Sequence, residues 1–412
     1  MSNARSSLSR RDFLAAVSAA ALMGSAGALA APPTASDRKV RIGIVGGGFG
    51  ASFQWHLDPN CIVEAVSDLR PDRRAGLQKV YRCQKAYESL EKLVLDPKIE
   101  AVAVFTGAPD HARHVVEVMK RGKHVISAVP ACLTCEEAQQ LKETQEKTGL
   151  AYMMAETSYY QAPCILARQL SKEGRFGNFL YSEVEYYHHD VQRVGAAEAL
   201  WMGKTTPKGW RWGFPPMWYP THATAFHVGV TGERLTEVSC LAWGNDDPML
   251  KDNPYDNPFN NQVALFRTGG GNICRCNILW WIHADGERAQ WLGENLAMYM
   301  ESSSGQPFVI RERGKPDVRQ YPDYMDLLPE PMRIRTGHGN SHGFLTHEFV
   351  AALIEGRAPA VDLYEALAMT VPGIVAMESS LKGGEQMKVP SFDKKAVIVK
   401  PTRNQTARLR EA

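Results

Sequence analysis

From residue 40 onward the chain alternates short apolar runs with amphipathic stretches. Val40–Val45, Ile62–Val66, Ile99–Phe105, His124–Ser127 and Leu150–Ala155 are short and rich in β-branched residues. Runs of this kind predict strands buried on both faces of a parallel sheet. A helical pattern from Pro109 to Arg121 lies between two of them. Thr134 and Glu137 then have the S/T-x-x-E spacing of a capping box, which opens a helix running to about Gly149. Strand alternating with helix is the order of an α/β domain with a doubly wound parallel sheet, predicted over residues 38–157. After Thr157 the pattern changes. One helix, Ala162 to Glu173, precedes long β-like runs at Phe179–His188, Leu235–Trp243, Gln262–Phe266 and Asn272–Trp281. These predict an α+β domain over 158–390 with an open, mainly antiparallel sheet. Pro248–Asn261, rich in Pro, Asn and Asp, reads as an exposed loop. Closing helices at Ser341–Glu355 and Tyr364–Leu381 are expected to pack back on the first domain, leaving 391–412 as a tail.

The first apolar run leads directly into Gly46-Gly47-Gly48-Phe49-Gly50-Ala51. Gly46, Gly48 and Ala51 fit G-x-G-x-x-G/A, in which the glycines allow a tight turn, close approach to a pyrophosphate, and tight helix–strand packing. The helix expected next would aim its N–H groups, with that of Phe49, at the phosphates. The second run ends at Asp68, about twenty residues further on, where a carboxylate would hold the adenosine ribose hydroxyls. Strand, turn, helix, strand and acid in this order predict a Rossmann dinucleotide-binding domain. Asp68 repels a 2′-phosphate and so favours NAD, while Arg70 and Arg73 nearby leave NADP open. Loops at Thr106–His111 and Ala128–Pro130 follow strand ends and should rim the nicotinamide pocket.

Composition narrows the function. Hydrophobic residues are 44%, charged residues 22%, and the formal net charge is +2 with no basic run, which excludes a nucleic-acid binder. Arg10-Arg11, an apolar stretch from Leu14 to Leu29, and Ala28-Leu29-Ala30 are the parts of a twin-arginine signal peptide over residues 1–30, cleaved near Ala30. The stretch is short and interrupted by Gly24 and Gly27, so no stable membrane anchor is expected. A periplasmic protein exported folded by the twin-arginine translocase follows. Eight cysteines include Cys132-x-x-Cys135 and Cys274-x-Cys276, but no histidine accompanies either pair. Buried structural thiols are the reading, and no metal is assigned.

These motifs resemble those of the Gfo/Idh/MocA oxidoreductases, from Val40 to about Pro390. The resemblance rests on Gly46-x-Gly48 with Asp68, on Thr106-x-x-Pro109-x-His111, and on Gly122-Lys123-His124-Val125 leading to Pro130. It implies a Rossmann domain plus an open-sheet domain, and hydride transfer to and from sugars, inositols and similar polyols. Two departures are informative. Where the family usually has Glu-Lys-Pro, this chain has Ala128-Val129-Pro130, and Val129 cannot carry a proton. Where the family has Asp-x-Gly-x-His, this chain has Trp218-Tyr219-Pro220-Thr221-His222. The latter is similar to the branch containing NAD-dependent glycosidases of the α-N-acetylgalactosaminidase type. Glu156-x-x-x-Tyr160, Tyr187-x-His189-Asp190 and Trp210-Arg211 extend that likeness. Such enzymes oxidise a sugar hydroxyl, eliminate the aglycone, add water and return the hydride.

The resemblance implies His222 as the proton-transfer residue, since imidazole titrates near neutrality, with Tyr219 as a phenolic acid–base or hydrogen-bond donor. Tyr160, His189, Arg211 and Tyr219 are candidates to line a sugar or glycoside pocket. Gly46, Gly48, Phe49, Asp68, Arg70, Thr106, His111, Val129 and Glu156 are the candidates around the cofactor, Glu156 as an orienter of nicotinamide or ribose. His338, His342 and His347 cluster without a metal-binding helix motif. The periplasm holds no pool of free dinucleotide, so a tightly bound NAD must have its hydride returned within each cycle or pass it to a second substrate. The expected function is an NAD(P)-dependent sugar oxidoreductase. The alternatives are a glycosidase using the same hydride steps without net redox, and a noncatalytic sugar-binding protein on the same fold. An open sheet suggests a homo-oligomer.

Overall fold

The computed structural model describes residues 36–189, 209–244, 246–247, 250–300, 308–320 and 322–394. The twin-arginine segment, Asp190 and most of the C-terminal tail lie outside them. Among the described residues the chain forms two sheets. The first is built from β1 (Val40–Val45), β2 (Cys61–Ser67), β3 (Ala86–Tyr87), β4 (Ala101–Val104), β5 (His124–Ser127) and β6 (Tyr152–Met154). Its strand order β3-β2-β1-β4-β5-β6, parallel throughout, is the doubly wound order whose crevice opens beside β1 and β4. Ile42 and Ile44 of β1 and Val102 and Val104 of β4 are fully buried, which is why these strands read as continuous apolar runs.

Helices α1 (Pro71–Tyr81), α2 (Leu90–Leu93), α3 (His111–Lys120) and α4 (Cys135–Thr148) connect these strands. α4 begins as its capping spacing requires. Thr134 Oγ1 accepts from the Glu137 amide at 3.1 Å, and the Glu137 carboxylate accepts from the Leu133 amide at 2.8 Å. Gly149 ends it in the left-handed conformation. One expectation fails: no α-helix follows the glycine turn. Phe49–Ser52 and Trp55–Leu57 are single 3-10 turns before β2. The aromatic side chains explain this, because Phe53 and Trp55 are buried and Phe53 stacks on Phe105 at 4.3 Å, drawing the segment onto the sheet instead of letting it wind.

After the 3-10 turn Thr157–Tyr160, α5 (Ala162–Lys172) leads to β7 (Phe179–Tyr187). The second sheet continues through α6 (Thr221–Thr231), β8 (Leu235–Trp243), β9 (Asn261–Thr268), β10 (Ile273–Leu279), β11 (Gly286–Gly293), β12 (Leu296–Tyr299), β13 (Phe308–Glu312), β14 (Val318–Gln320), α7 (Gly337–Glu355), α8 (Leu363–Leu381) and β15 (Met387–Lys388). Its order is β14-β13-β12-β11-β7-β10-β9-β8-β15, with β7 and β10 parallel and every other pair antiparallel. α6 packs on one face. Nearly every α6 residue from Thr221 to Val230 is buried, so it shows no amphipathic stripe and gives no helical signal in the sequence. α8 ties the sheets together: the Ala131 amide donates to Thr370 at 3.4 Å, and Thr224 donates to the Met369 carbonyl at 2.7 Å.

Of the predicted loop, residues 250–260 are described and form no long helix or strand, as the sequence suggests, but their asparagines are not exposed. Asn253 and Asn257 are buried, Asn253 donating to the carbonyls of Leu250 and Asn257 at 2.6 and 2.8 Å. Their side chains replace the backbone pairing a buried loop lacks. All eight cysteines are free thiols, most of them buried, and among the described residues no helix is long and apolar enough to cross a membrane.

Candidate active site

The glycine turn sits at the carboxyl end of β1. Gly46 has φ +99°, and a Cβ there would lie 2.2 Å from the Phe105 carbonyl oxygen. Only glycine lets the turn lie this close to the end of β4. At Gly48 an added Cβ meets nothing nearer than the Arg73 guanidinium at 3.4 Å, so that residue keeps one side of the turn open. The Gly47 amide donates to Asp68 Oδ2 at 2.6 Å and the Arg70 amide to Oδ1 at 2.8 Å. Asp68 thus fixes the turn and retains further lone pairs for ribose hydroxyls. The Arg70 guanidinium is turned onto Asp72, at 2.6 and 3.1 Å. A tight glycine turn with an anchored carboxylate beside it is a cradle that fits a dinucleotide, and the Ser67 hydroxyl beside it is buried without a partner.

Several cofactor candidates have protein partners of their own. Both ring nitrogens of His111 contact backbone carbonyls, Nδ1 that of Pro130 at 2.8 Å and Nε2 that of Thr106 at 3.0 Å. Burial outweighs those two carbonyls and pushes its pKa down. His111 is a brace between the two loops, not a group offered to the cofactor. Thr106 is paired through Oγ1 with His114 Nδ1 at 2.9 Å. The Phe49 ring is held edge-on by Phe53, Phe105, His338 and His342. Val129 is buried after β5, ahead of Pro130.

The centre of the site is a buried ion pair. Glu156, just after β6, is fully buried, and its Oε1 accepts from the Ser158 amide at 2.9 Å and lies 2.8 Å from His222 Nδ1. Burial alone would lower the His222 pKa, but Glu156, reinforced by Glu287, outweighs it and raises that pKa. Burial would likewise raise Glu156, and His222 reverses this. Both directions describe imidazolium facing carboxylate. The sequence reading aims Glu156 at the cofactor; the structure turns it onto His222, and its Oε2 is left without a partner. Pro220 starts α6 and puts His222 in the first turn, which fixes the imidazole opposite β6.

Around this pair stand Tyr219, with ring centroid 5.3 Å from His222, and Tyr186 of β7 at 4.8 Å. Burial raises the Tyr219 pKa, while the adjoining Arg211 guanidinium opposes the shift. Arg211 itself lies over the Trp210 ring at 4.6 Å. Trp210 closes against the strand-end loop so tightly that a Cβ at Gly107 would meet it at 2.8 Å. Glu287 accepts from Ser158 Oγ at 2.5 Å and from Gln161 at 2.6 Å, and burial raises its pKa. His338, at the kinked start of α7, is 6.3 Å from His222 with the rings near parallel.

Two substrate candidates are not part of this group. Tyr160 is buried and stacks face to face on Phe344 at 5.9 Å, packing the turn after β6 against α7. His189 is exposed, with its amide on Asp285 at 2.7 Å and its ring on the Ile282 carbonyl at 2.6 Å. Strand parity explains the second case. Tyr186 faces inward, so the alternate residue His188, and not His189, shares its side. Tyr186 and Glu287 are what sequence reasoning missed, and His338 stands out in the sequence only as one of a histidine cluster. Parity from Val184 would have found Tyr186; nothing local marks Glu287. Among the described residues no group of three His, Cys, Asp or Glu side chains is arranged to hold a metal.

Comparison with known proteins agrees with this architecture. Residues 40–156 match the Gfo/Idh/MocA family, described as an oxidoreductase family with an NAD-binding Rossmann fold. A glycosyl hydrolase family 109 protein of Solibacter usitatus is 24% identical over 93% of this chain and 97% of its own. One from Stenotrophomonas maltophilia is 24% identical over 93% and 95%. A Bacteroides thetaiotaomicron member is 32% identical over 36% of this chain and 35% of its own. Among solved structures, levoglucosan dehydrogenase in complex with NADH superposes with TM-score 0.73 at 17% identity, covering 86% of this chain and all (100%) of that one. Myo-inositol 2-dehydrogenase of Lactobacillus plantarum gives 0.66 at 14%, over 86% and 100%.

Proposed function

Because residues 40–156 are an NAD-binding Rossmann domain of the Gfo/Idh/MocA oxidoreductase family, we propose that this enzyme moves hydride between a tightly held NAD and a hydroxyl-bearing carbon of a sugar or polyol. The observation that carries this reading is the buried Glu156–His222 pair at the carboxyl end of the sheet, where ligands of doubly wound folds bind. NAD supplies the hydride acceptor and donor. The chain supplies the rest: Gly46, Gly48 and Asp68 would cradle the dinucleotide, and His222 holds a proton at a site where Val129 cannot. Glu156 keeps that proton in place, and Tyr219 and Arg211 offer hydrogen bonds to substrate hydroxyls.

A hydrolytic outcome on the same chemistry is favoured by Val129 and by the likeness, across nearly the whole chain, to glycosyl hydrolase family 109 proteins. Oxidation next to a carbon bearing hydrogen acidifies that hydrogen, so elimination, hydration and return of the hydride give hydrolysis without net redox. The test is to incubate the protein with free sugars and chromogenic glycosides in D2O, following reduced nicotinamide, aglycone and deuterium. Accumulating reduced cofactor supports the oxidoreductase; aglycone release with ring deuteration and unchanged cofactor supports the hydrolase. Neither signal across the panel, from a protein loaded with NAD, overturns both.

The twin-arginine sequence at Arg10-Arg11 supports export of the folded, cofactor-loaded protein to the periplasm. Substituting both arginines by lysine should hold it in the cytoplasm on cell fractionation. The outer face of the second sheet carries exposed Leu241, Trp243 and Leu265, which support pairing with a second copy of the chain. Sedimentation of the Leu241→Asp, Leu265→Asp variant should shift toward monomer.

A further inference from the structure

The kinked start of α7 carries chemistry that the Glu156–His222 pair does not use. His338, Gly339 and Asn340 are all left-handed, with φ of 51°, 65° and 70°. A histidine at positive φ is uncommon, and such conformations persist where surrounding structure imposes them. Here the surroundings are explicit. The Thr336 amide donates to Asn340 Oδ1 at 2.9 Å, closing the turn. His338 Nδ1 lies 2.9 Å from His342 Nε2, and His342 Nδ1 lies 3.0 Å from the Ser52 carbonyl oxygen, just after the glycine turn.

That chain of contacts determines where the protons are. A carbonyl oxygen only accepts, so His342 carries its proton on Nδ1. Burial keeps His342 neutral by lowering its pKa, which leaves Nε2 as an acceptor. His338 must then donate from Nδ1, and its own Nε2 is left with a lone pair. More than a third of His338 is open to solvent although protein groups crowd it. The groups facing it are His222, stacked at 6.3 Å, the ring of Phe49 at 5.6 Å, His342, and at longer range Glu156 and His188.

We propose that His338 is a second acid–base residue of the site, its Nε2 taking the substrate hydroxyl proton as hydride departs, opposite the proton-holding His222–Glu156 pair. The inference rests on the hydride-transfer reading above. In the step, the O–H bond breaks and its proton passes to His338 Nε2. The C–H bond breaks with both electrons, hydride going to the oxidised nicotinamide of NAD, and the C=O bond forms. In the reverse step His338 returns the proton to oxygen. Desolvation first, then the neighbouring imidazoles, push the His338 pKa down, so it is ready as a base at neutral pH while His222 is ready as an acid. Two like groups with pKa values driven apart have separate roles.

The test uses His338→Asn, because asparagine tolerates the left-handed backbone and cannot act as a base. Full-length protein with 15N-labelled histidine is titrated without substrate. His338 and His342 should both appear as neutral Nδ1–H tautomers at pH 7, with the His338 tautomer signal absent in the variant. An Nε2–H tautomer at His338, or ordinary titration near 6.5, overturns the proposal. On a turned-over sugar, His338→Asn should lower kcat by about 10²–10⁴-fold and abolish the acid limb of the pH profile. NAD affinity should stay within about twofold, as expected for a residue whose role is proton transfer. Wild-type kcat in the variant overturns the proposal alone. A wild-type protein that neither binds NAD nor passes hydride to any sugar overturns the functional reading, and this inference with it.

Discussion

Replacing Glu156 by glutamine removes one charge from the centre of the site and preserves its shape. The amide oxygen can still accept from Ser158 and His222, so what is lost is the charge that holds the His222 proton. Without it, burial dominates and the His222 pKa falls below its ordinary 6.5. A hydrogen bond to a charged group contributes about 1.5–3 kcal/mol, and because His222 can release its proton the loss stays within that range. For a chain of this size that is about 2–4 °C in Tm. The loss depends on pH in a defined direction. His222 is raised on folding, so its contribution is full below 6.5 and fades as pH rises through the folded value. Glu156 is depressed, so its contribution is full above 4.5 and fades as pH falls through the folded value. The gap in Tm between wild type and Glu156→Gln should therefore be widest between pH 4.5 and 6.5 and narrow toward alkaline pH. Differential scanning calorimetry across that range measures it. The rate of hydride transfer should fall by about 10²–10⁴-fold, the usual contribution of a placed acid–base group. A pH-independent gap, or a variant with wild-type rate, would refute the ionised pair.

Gly46→Ala puts a methyl 2.2 Å from the Phe105 carbonyl oxygen on a backbone at φ +99°, so NAD affinity by calorimetry should drop more than about tenfold. Asp68→Asn weakens the acceptor of the Gly47 and Arg70 amides by about 1.5 kcal/mol or more, so Kd for NAD should rise about tenfold; an unchanged Kd would contradict its anchoring role. His189→Ala and Tyr160→Phe lie away from His222, and kcat/KM should stay within about twofold. Tyr186→Ala removes the ring packed on His222 and should lower kcat/KM by more than about tenfold, a contrast that steady-state kinetics on the three variants would expose.

Five of the six strands of the first sheet were legible because they are mostly apolar and the glycine turn leaves a local mark; the two-residue, half-buried β3 leaves none. The capping pair Thr134–Glu137 placed α4 within a residue. The glycine turn also misled: the aromatics after it look compatible with a helix, and only their packing against Phe105 shows why 3-10 turns form instead. The site was half legible. His222, Tyr219 and Glu156 were visible as motif residues, but the Glu156–His222 bond spans sixty-six positions and has no local signature. His111 matches a cofactor motif by spacing, yet both its ring nitrogens meet backbone carbonyls. His338 was visible only as one of a histidine cluster. Its role depends on a left-handed turn and on a partner chain of hydrogen bonds ending at Ser52, which spacing alone does not reveal.

The most direct test of the account is the cofactor itself. Purified full-length protein is denatured, and the NAD(P)(H) released per chain is assayed; the emptied protein is then titrated with NAD. About one equivalent released, or saturable binding at one site that Gly46→Ala abolishes, is the predicted result. A chain that releases none and binds none would contradict the hydride mechanism at its foundation.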